Sequence, residues 1–246
     1  MLLAAGIGER LKPLTLKTPK PLIPVEGVPL IQYNLILLQQ AGVKEVMVNL
    51  HHLGDQIRRA LGDGSRFGLT LHYSEEKILL GTGGGLKKVE DFFREAPFFA
   101  LNADVLIDLD LKDLFRFHEK NPAEATLVVS SDVREDVKRL VYADEEGRIG
   151  AISEAKPKNA SLKPYVFTGA QLIESRLLRK LPEGVECSVV DEAYLPTLAS
   201  GEPLNAYRFE GYYRDVGSPE RYAAVKREFS QGWPYTNLKA EQVSGL

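Results

Sequence analysis

The sequence predicts an α/β protein with a mixed, mainly parallel sheet flanked by helices. In the first half, short apolar runs alternate regularly with segments of helical length, ending with the apolar run at 98–103. Such alternation is typical of parallel strands joined by helical crossovers. From about residue 111 the strand candidates become shorter and are separated by turns. This change predicts an α+β elaboration in the second half.

The elements of the first half follow from hydrophobic periodicity. Its predicted strands are 1–5, 46–50, 69–73 and 98–103, and its predicted helices are 29–41, 53–61 and 85–94. The first helix has apolar residues on more than one face and is followed directly by Gly42, which is typical of a buried helix and its end.

The elements of the second half are shorter and more varied. Its predicted helices are 111–120, 174–181, 189–200 and 219–229, and its predicted strands are 125–131, 140–142, 149–152, 165–167, 204–209 and 212–216. Acidic residues and Gly147 lie between the strands at 140–142 and 149–152, which is typical of a hairpin turn.

Composition and charge restrict the class of partner. The chain has 246 residues, of which 44% are hydrophobic and 26% charged, as expected for a soluble globular protein with a sizeable core. Its net charge of −3 argues against a surface that binds nucleic acid or a membrane, so we expect small-molecule partners. A single cysteine, Cys187, excludes an intramolecular disulfide, and with no secretory signal pattern it favours the cytoplasm.

We expect one domain over residues 1–230, with a first half at 1–110 and a second half at 111–230. Residues 231–246 form a C-terminal tail without a clean period. Such a tail packs either on the core or on a partner subunit, so a homo-oligomer is one possibility.

The first twenty-one residues indicate a loop that binds phosphate. Gly6 and Gly8 follow a short apolar run, and glycines there let backbone amides approach a phosphate chain. Arg10 adds a planar donor fork, and Lys20 adds a point charge whose direction is fixed by the proline on each side. A polyphosphate substrate is therefore predicted.

Two common glycine-rich motifs do not fit this loop. A dinucleotide fingerprint requires a third glycine at the position of Leu11, and the Lys-Ser/Thr pair of a Walker A loop is absent nearby. A turn that uses glycine only for its geometry remains the alternative to phosphate binding. The two cations, Arg10 and Lys20, favour phosphate binding.

Two aspartates are candidate metal ligands. Asp104 follows the apolar strand at 98–103, and Asp215 ends the strand at 212–216 before a glycine turn into a helix. Mg²⁺ in phosphoryl and nucleotidyl transfer is commonly held by one or two carboxylates and phosphate oxygens. Each aspartate alone is equally compatible with a helix cap or a turn.

These motifs together resemble the sugar-1-phosphate nucleotidylyltransferase family. The resemblance runs from Leu2 to about Phe229 and depends on the segments Leu3-Ala4-Ala5-Gly6-x-Gly8-x-Arg10-Leu11-x-Pro13-x-Thr15, Pro19-Lys20-Pro21, the strand end at Asp104, and Arg214-Asp215-Val216-Gly217-x-Pro219. It implies a Rossmann-like nucleotide-binding half at 1–110 and a sugar-binding half at 111–230, with Mg²⁺ as cofactor. The implied reaction joins a nucleoside triphosphate to a sugar 1-phosphate, giving a nucleoside diphosphate sugar and pyrophosphate.

The resemblance also implies roles for individual residues. Gly6, Gly8 and Arg10 would hold the β- and γ-phosphates, Lys20 would stabilise charge on the α-phosphate, and Asp104 and Asp215 would hold Mg²⁺. The implied nucleotide-binding residues are Leu3, Ala4, Ala5, Gly6, Gly8, Thr82 and Gly83. The implied sugar-phosphate-binding residues are Glu154, Lys156, Thr168 and Gly169. No catalytic histidine is expected, because a sugar phosphate is already an anion.

The sequence leaves the substrate pair open. Among short members of the family, we favour a mannose-1-phosphate guanylyltransferase over an N-acetylmuramate-1-phosphate uridylyltransferase or a glucose-1-phosphate thymidylyl- or uridylyltransferase. A non-catalytic regulatory subunit with the same fold is an alternative class, although Arg10, Lys20, Asp104 and Asp215 are all retained. The chain departs from the family at Ala103, where glycine is common.

Overall fold

A computed structural model describes residues 1–240 and residue 242. The strands in this part of the chain are β1 (Leu2–Leu3), β2 (Pro24–Val25), β3 (Val28–Pro29), β4 (Glu45–Leu50), β5 (Thr70–Glu75), β6 (Phe98–Asn102), β7 (Val105–Ile107), β8 (Ala125–Ser130), β9 (Leu140–Ala143), β10 (Ile149–Ser153), β11 (Lys163–Ile173), β12 (Leu204–Phe209) and β13 (Tyr213–Asp215). The α-helices are α1 (Leu30–Gln40), α2 (Gly54–Leu61), α3 (Gly81–Lys87), α4 (Leu111–Lys120), α5 (Leu195–Ala199) and α6 (Pro219–Gln231). None of the helices in the described part has both the length and the apolar composition of a membrane span.

The chain folds into two compact units that alternate along the sequence. Unit 1 comprises Met1–Leu79, Leu101–Leu111 and Gly211–Leu246, and unit 2 comprises Leu80–Ala100 and Lys112–Glu210. The predicted α/β class is confirmed, because parallel strands alternate with helices in unit 1 and mixed strand pairing dominates unit 2.

A parallel sheet forms the framework of unit 1. Strand β1 lies between β4 and the end of β6, with Leu2 paired to Val48 and to Leu101. Strand β5 continues the sheet in parallel on the other side of β4. Leu2 and its two partners are almost completely buried, so this two-residue strand is held at the centre of the sheet by apolar packing.

A short antiparallel ribbon in unit 1 was not predicted in full. Strand β13 was expected, but its partner β7 is only a three-residue apolar run and carries too little periodicity to be recognised. In the ribbon, Asp215 lies opposite Val105 and Tyr213 lies opposite Ile107. The ribbon therefore aligns the residues that follow β6 with those that precede α6.

The described part of the tail packs on unit 1 through aromatic side chains. Trp233 and Tyr235 both stack on Tyr33 of α1, with ring centroids 6.3 and 5.9 Å from its ring. Phe229 contacts Tyr33 edge to face, at a centroid distance of 6.1 Å. Burial raises the pKa of the Tyr235 hydroxyl well above its usual value, so this side chain stays neutral within the cluster.

The buried carboxylate of Asp108 fixes the backbone of the tail. It accepts hydrogen bonds from the amide nitrogens of Thr236, Asn237 and Leu238 at 2.7, 3.0 and 3.3 Å, and from the Thr236 hydroxyl at 2.6 Å. Asp108 directly follows β7, so the tail is tied to one end of this strand. The part of the tail that the structure describes thus belongs to the core of unit 1.

Unit 2 is built around the long strand β11. Its first residues pair antiparallel with β9, its remainder pairs antiparallel with β8, and β12 pairs parallel with β8. A strand was expected only at 165–167; the observed strand spans Lys163–Ile173 and contains a register shift between Phe167 and Gln171, where Gly169 has a φ of +84°. The expected hairpin joins β9 and β10, with Asp144 N donating to Arg148 O at 3.0 Å.

The helix expected at 85–94 is misplaced. Helix α3 begins four residues earlier, at Gly81, and ends at Lys87, after which Glu90–Phe93 form a 3₁₀ turn. Local propensity disfavours a helix through four glycines, so tertiary contacts must stabilise it.

The Asp108 contacts generate a stability prediction. Replacing Asp108 by Ala leaves several amide donors of the tail without a partner, so we expect a loss of about 2 to 3 kcal/mol in the free energy of unfolding. Thermal melting would measure this loss, and limited proteolysis should show earlier cleavage within 232–240. Glu146→Ala, at an exposed turn, should change stability by less than about 0.5 kcal/mol. Equal melting temperatures for the two variants would contradict the role of Asp108.

Candidate functional site

The N-terminal loop (residues 4–8) follows β1 in unit 1, and its two glycines serve different purposes. Gly8 has a φ of +70°, and a Cβ there would lie 2.7 Å from Thr15 Cγ2. The Thr15 hydroxyl donates to Gly8 O at 2.9 Å, so Gly8 shapes the loop. Gly6 is exposed, and a Cβ there would meet nothing within 4 Å in the described structure. Gly6 therefore presents open backbone to the surroundings.

Two buried polar side chains fix the start of this loop. Asn49 Oδ1 accepts from Ala4 N at 2.7 Å, and Asn49 Nδ2 donates to Glu76 Oε1 at 2.7 Å. Asn49 is 2% exposed and Glu76 is 5% exposed. Neither residue was predicted from the sequence. The signal was their position, at and just after the carboxyl ends of β4 and β5, where ligand-binding loops collect in parallel sheets.

Lys20 and Asp104 form an ion pair in unit 1. The Nζ atom of Lys20 contacts Oδ2 of Asp104, and the lysine side chain is largely buried. Pro19 is extended, with φ −63° and ψ 144°, and leads into a 3₁₀ turn at Lys20–Leu22. The two prolines that flank Lys20 restrict the backbone, so the direction of this side chain costs little additional entropy.

The β7–β13 ribbon brings Asp104 and Asp215 to neighbouring positions. Asp215 pairs with Val105, and one residue further along Val216 N donates to Asp104 O at 3.2 Å. The two carboxylates are 28% and 25% exposed, so solvent reaches both. Asp104 and Asp215, 111 positions apart in sequence, thus lie near each other because β7 pairs with β13.

Arg221 is a further member of the site that our sequence analysis missed. Its Nη1 contacts Oδ2 of Asp215. Arg221 lies in the first turn of α6, where its amide donates to the N-cap hydroxyl of Ser218 at 3.3 Å. Ser218 and Pro219 mark the start of a helix in the sequence, and this start places Arg221 in the first turn of α6.

Gly217 lies between Asp215 and Arg10. A Cβ at Gly217 would be 2.6 Å from Asp215 Oδ1 and 2.8 Å from Arg10 Nη2, so only a glycine leaves both groups in place. Arg10 itself is exposed, in a 3₁₀ turn at Glu9–Leu11. The structure thus brings Arg10 and Asp215 to the same place, and Lys20 and Asp104 to a second one, all within unit 1.

The donor set at the two aspartates fits a hard divalent cation. Asp104, in the turn before β7, and Asp215, at the end of β13, each carry carboxylate oxygens that are partly open to solvent. Magnesium typically takes one or two protein carboxylates and fills its other positions with water and substrate phosphate. No group of three or more acidic, histidine or cysteine side chains suited to a metal occurs in the described residues.

The glycine-rich segment at 81–85 lies in unit 2 and is covered by a strap (residues 185–189). Gly83 N donates to Cys187 O at 2.8 Å, and Cys187 N donates to Leu80 O at 2.9 Å. A Cβ at Gly81 would lie 2.5 Å from Cys187 O, and one at Gly84 would lie 2.4 Å from Val185 O. The glycines therefore permit close approach of the strap, which explains why α3 begins at Gly81.

The two nucleotide-binding residues expected here, Thr82 and Gly83, are both engaged by the strap. Thr82 Oγ1 accepts from Val189 N at 3.0 Å, and a Cβ at Gly83 would lie 2.7 Å from Cys187 Sγ. Burial, with a smaller contribution from Glu192, raises the pKa of the Cys187 thiol. The thiol is thus protonated at neutral pH and acts as a packing group.

The four expected sugar-phosphate-binding residues are in unit 2 and differ in exposure. Glu154 and Lys156 are exposed between β10 and β11. Thr168 is buried, where its hydroxyl donates to Val128 O at 2.9 Å and accepts from Ala170 N at 3.2 Å. Gly169 is the left-handed residue of the bulge in β11. Thr168 and Gly169 thus have structural roles in the strand.

The histidines have partners that explain their presence without chemistry. His51 Nδ1 and His52 Nε2 lie 2.8 Å from the carbonyl oxygens of Glu76 and Thr15, respectively. His118 is buried, with Nδ1 2.7 Å from the hydroxyl of Thr126. His52 also supports the turn that carries Thr15, and so supports Gly8 indirectly.

Comparisons with known proteins identify the family of the chain. A family model described as nucleotidyl transferase matches residues 1–232. The chain is 32% identical over 260 residues to a UTP-glucose-1-phosphate uridylyltransferase of Synechocystis sp., with 100% of this chain and 66% of that protein covered. It is 32% identical over 233 residues to a mannose-1-phosphate guanylyltransferase of Mycobacterium tuberculosis, with 94% of this chain and 64% of that protein covered. The chain thus spans just under two thirds of the length of these curated relatives.

A solved structure shows the same fold. A putative glucose-1-phosphate thymidylyltransferase from Bacillus anthracis, in complex with a sucrose, superposes with a TM-score of 0.81 at 22% identity. The match covers 98% of this chain and 97% of that chain. At this identity the likeness shows the fold alone.

The strap contacts generate a prediction. A Cβ added by Gly84→Ala meets the backbone oxygen of Val185, which cannot move without displacing the strap, so we expect a loss of about 1 to 3 kcal/mol in the free energy of unfolding. Thermal melting and the rate of proteolysis within 182–189 would measure it. Gly6→Ala is the matched control, because its Cβ meets nothing nearby. If both variants melt like the parent protein, the close approach of the strap is not what requires Gly84.

Proposed function

The chain belongs to the nucleotidyl transferase family, and we propose that it is a sugar-1-phosphate nucleotidylyltransferase. The resemblance identified from the sequence is confirmed at the level of the family. The activity itself is proposed, since the chain covers 66% and 64% of the length of these two curated relatives.

One observation supports the activity most directly. In unit 1, Lys20 contacts Asp104, Arg221 contacts Asp215, and Arg10 lies beside Asp215 at Gly217. Such a mixture of cations and carboxylates suits a substrate that is itself highly anionic and is bound with a cation. A nucleoside triphosphate meets this description.

The proposed reaction is a single in-line displacement. An oxygen of the sugar 1-phosphate forms a bond to the α-phosphorus, the bond from that phosphorus to the bridging oxygen of the β-phosphate breaks, and pyrophosphate leaves with the electron pair. No proton has to be removed from the nucleophile, because it is already an anion. Catalysis then depends on positioning and on stabilising negative charge.

The residues of unit 1 supply that stabilisation. We assign Gly6, Gly8 and Arg10 to the β- and γ-phosphates and Lys20 to charge developing on the α-phosphate. Lys20 is held by Asp104 in a partly buried position, where its charge acts through a lower dielectric than in water. Its fixed direction means that little reorganisation is required when the charge appears.

We propose Mg²⁺ as the cofactor, held by Asp104 and Asp215. When bound, it would neutralise charge on the phosphates and orient them. Asp104 and Asp215 would each offer a carboxylate oxygen to the cation while staying next to Lys20 and Arg221, whose charges would favour nearby phosphate oxygens.

The remaining predicted site residues form part of the proposal. We assign Leu3, Ala4 and Ala5, with Thr82 and Gly83, to the nucleotide, and Glu154, Lys156, Thr168 and Gly169 to the sugar phosphate. Residues 1–230 would act as one transferase domain with a nucleotide-binding half at 1–110 and a sugar-binding half at 111–230. A cytoplasmic location is proposed on the basis of the single cysteine.

For the substrate pair we propose mannose 1-phosphate and GTP. Relatives from vertebrates, a fly, a yeast and Mycobacterium tuberculosis at 29 to 32% identity carry names of mannose-1-phosphate guanylyltransferases, and these support the pair. Glucose 1-phosphate with UTP is the alternative, supported by the Synechocystis relative.

The test is pyrophosphate release, with Mg²⁺, across GTP, UTP, dTTP, CTP and ATP against mannose, glucose, N-acetylglucosamine and N-acetylmuramate 1-phosphates. We expect one pair to dominate, with mannose 1-phosphate and GTP strongest. A different dominant pair would overturn the substrate assignment and keep the activity. Nucleotide binding without turnover across the matrix would overturn the activity and favour a non-catalytic subunit.

A loop variant separates substrate binding from folding. Gly6→Ala adds a methyl group that meets nothing in the described structure, so the melting temperature should stay the same or rise slightly. In the complex the methyl group would face the phosphates, and we expect the KM for the nucleotide to rise by about tenfold or more, corresponding to about 1.4 kcal/mol. Steady-state kinetics and a melting curve would measure both. An unchanged KM would exclude a phosphate contact at Gly6.

The metal assignment has its own test. Asp104→Asn and Asp215→Asn remove one negative charge each without changing side-chain volume, and we expect kcat to fall by about 100-fold or more because charge stabilisation is the main contribution. Both variants should keep the far-ultraviolet circular dichroism of the parent. Asp144→Asn, in the β9–β10 hairpin, is the carboxylate control and should keep its activity. Full activity in both site variants would contradict the assignment.

A further inference from the structure

Asn34 is an unusual residue for its place in the fold. It lies in the middle of α1 with its side chain 0% exposed, and its neighbours along the helix are mostly buried apolar residues. Asparagine is a poor helix former, and a buried amide is costly unless its polar atoms are paired. Its Oδ1 has no hydrogen-bond partner among the described residues. The presence of a buried asparagine here is therefore best explained by the hydrogen bonds that its Nδ2 donates.

Both donors of the Asn34 amide are directed to the turn that carries Asp104. Nδ2 donates to Val105 O at 3.0 Å and to Asn102 O at 3.4 Å. These two carbonyl groups belong to the residues on either side of the Ala103–Asp104 turn, at the end of β6 and the start of β7. The side chain of Asn34, on α1, thus bridges the two ends of this turn.

Two main-chain hydrogen bonds also hold the turn. Ala103 N donates to Leu3 O at 3.0 Å, and Val216 N donates to Asp104 O at 3.2 Å. Those two bonds tie the turn to β1 and to the residue after β13. Asn34 supplies the contact from α1, in addition to the ion pair that Lys20 makes with the side chain of Asp104.

We propose that Asn34 is a positioning residue that sets where the Asp104 carboxylate lies. It does not touch the site itself and acts through the turn at 102–105. The inference rests on the proposed function in one respect, which is the assignment of Asp104 to the metal. The effect of Asn34 on the Lys20–Asp104 ion pair does not depend on any activity.

The same helix offers a matched control. The Tyr33 hydroxyl donates to Val25 O at 2.9 Å, which is also a buried side-chain bond from α1 to a backbone carbonyl in unit 1. Tyr33→Phe removes this bond without altering the turn at 102–105. Tyr33→Phe therefore measures how the loss of one buried hydrogen bond of α1 affects stability and activity when the turn at 102–105 is intact.

The experiment compares Asn34→Leu, Asn34→Ala and Tyr33→Phe at a temperature where each is folded. For the Asn34 variants we expect kcat to fall and the Mg²⁺ concentration for half-maximal rate to rise, each by about 10- to 100-fold. Reductive methylation of Lys20, quantified by mass spectrometry, should be faster in both, because the partner of its ammonium has moved. Tyr33→Phe should melt earlier but keep the Mg²⁺ dependence and the methylation rate.

The outcomes separate this inference from the proposed function. Asp104→Asn serves as the reference for a lost ion pair, with faster methylation of Lys20 expected. If Asp104→Asn keeps full activity, the assignment of Asp104 to the metal fails, while Lys20 methylation still tests the role of Asn34. Normal methylation and normal Mg²⁺ dependence in the Asn34 variants would overturn the inference. Equal effects of Tyr33→Phe, or loss of the fold in both Asn34 variants, would place Asn34 in the framework and overturn it as well.

Discussion

The pairing of β7 with β13 is the constraint on which the candidate site depends. Each strand has three residues, and neither is stable alone, yet their register fixes Asp104 beside Val216 and Asp215 beside Val105. Both carboxylates are only partly exposed, and such groups are stabilised by neighbouring cations. Lys20 and Arg221 provide them from a proline-flanked turn and from the first turn of α6.

The framework of unit 1 holds this ribbon from both ends. At one end the amide of Asn34 bridges the turn before β7, and at the other end the carboxylate of Asp108 binds the tail directly after β7. The aromatic cluster around Tyr33 packs α1, α6 and the tail together. The tail is thereby part of the support for the site, although it lies far from Asp104 in sequence.

The glycines of the two motif segments have distinct physical reasons. Gly6 has open space around it and no strained φ, so its lack of a side chain leaves room for a molecule from outside, whereas a side chain at Gly217 would displace Asp215 and Arg10. Gly81 and Gly84 are required by the strap, which lies against them through backbone contacts. A glycine motif in the sequence thus does not reveal whether the chain or a ligand makes the close approach.

The sequence by itself determined the α/β class, most helices and strands, and the family. Helix α4 at Leu111–Lys120 and strand β12 at Leu204–Phe209 were predicted within their observed bounds, because hydrophobic periodicity over that length is a local property. Arg10, Lys20, Asp104 and Asp215 were selected because charged residues at glycine turns and strand ends are also visible locally. Only the tertiary structure decided that these residues pair as they do, that Asn34, Asn49, Glu76 and Arg221 support them, and that α3 begins within the glycines. Those features depend on contacts between segments up to more than a hundred residues apart, and no periodicity in the chain encodes such contacts.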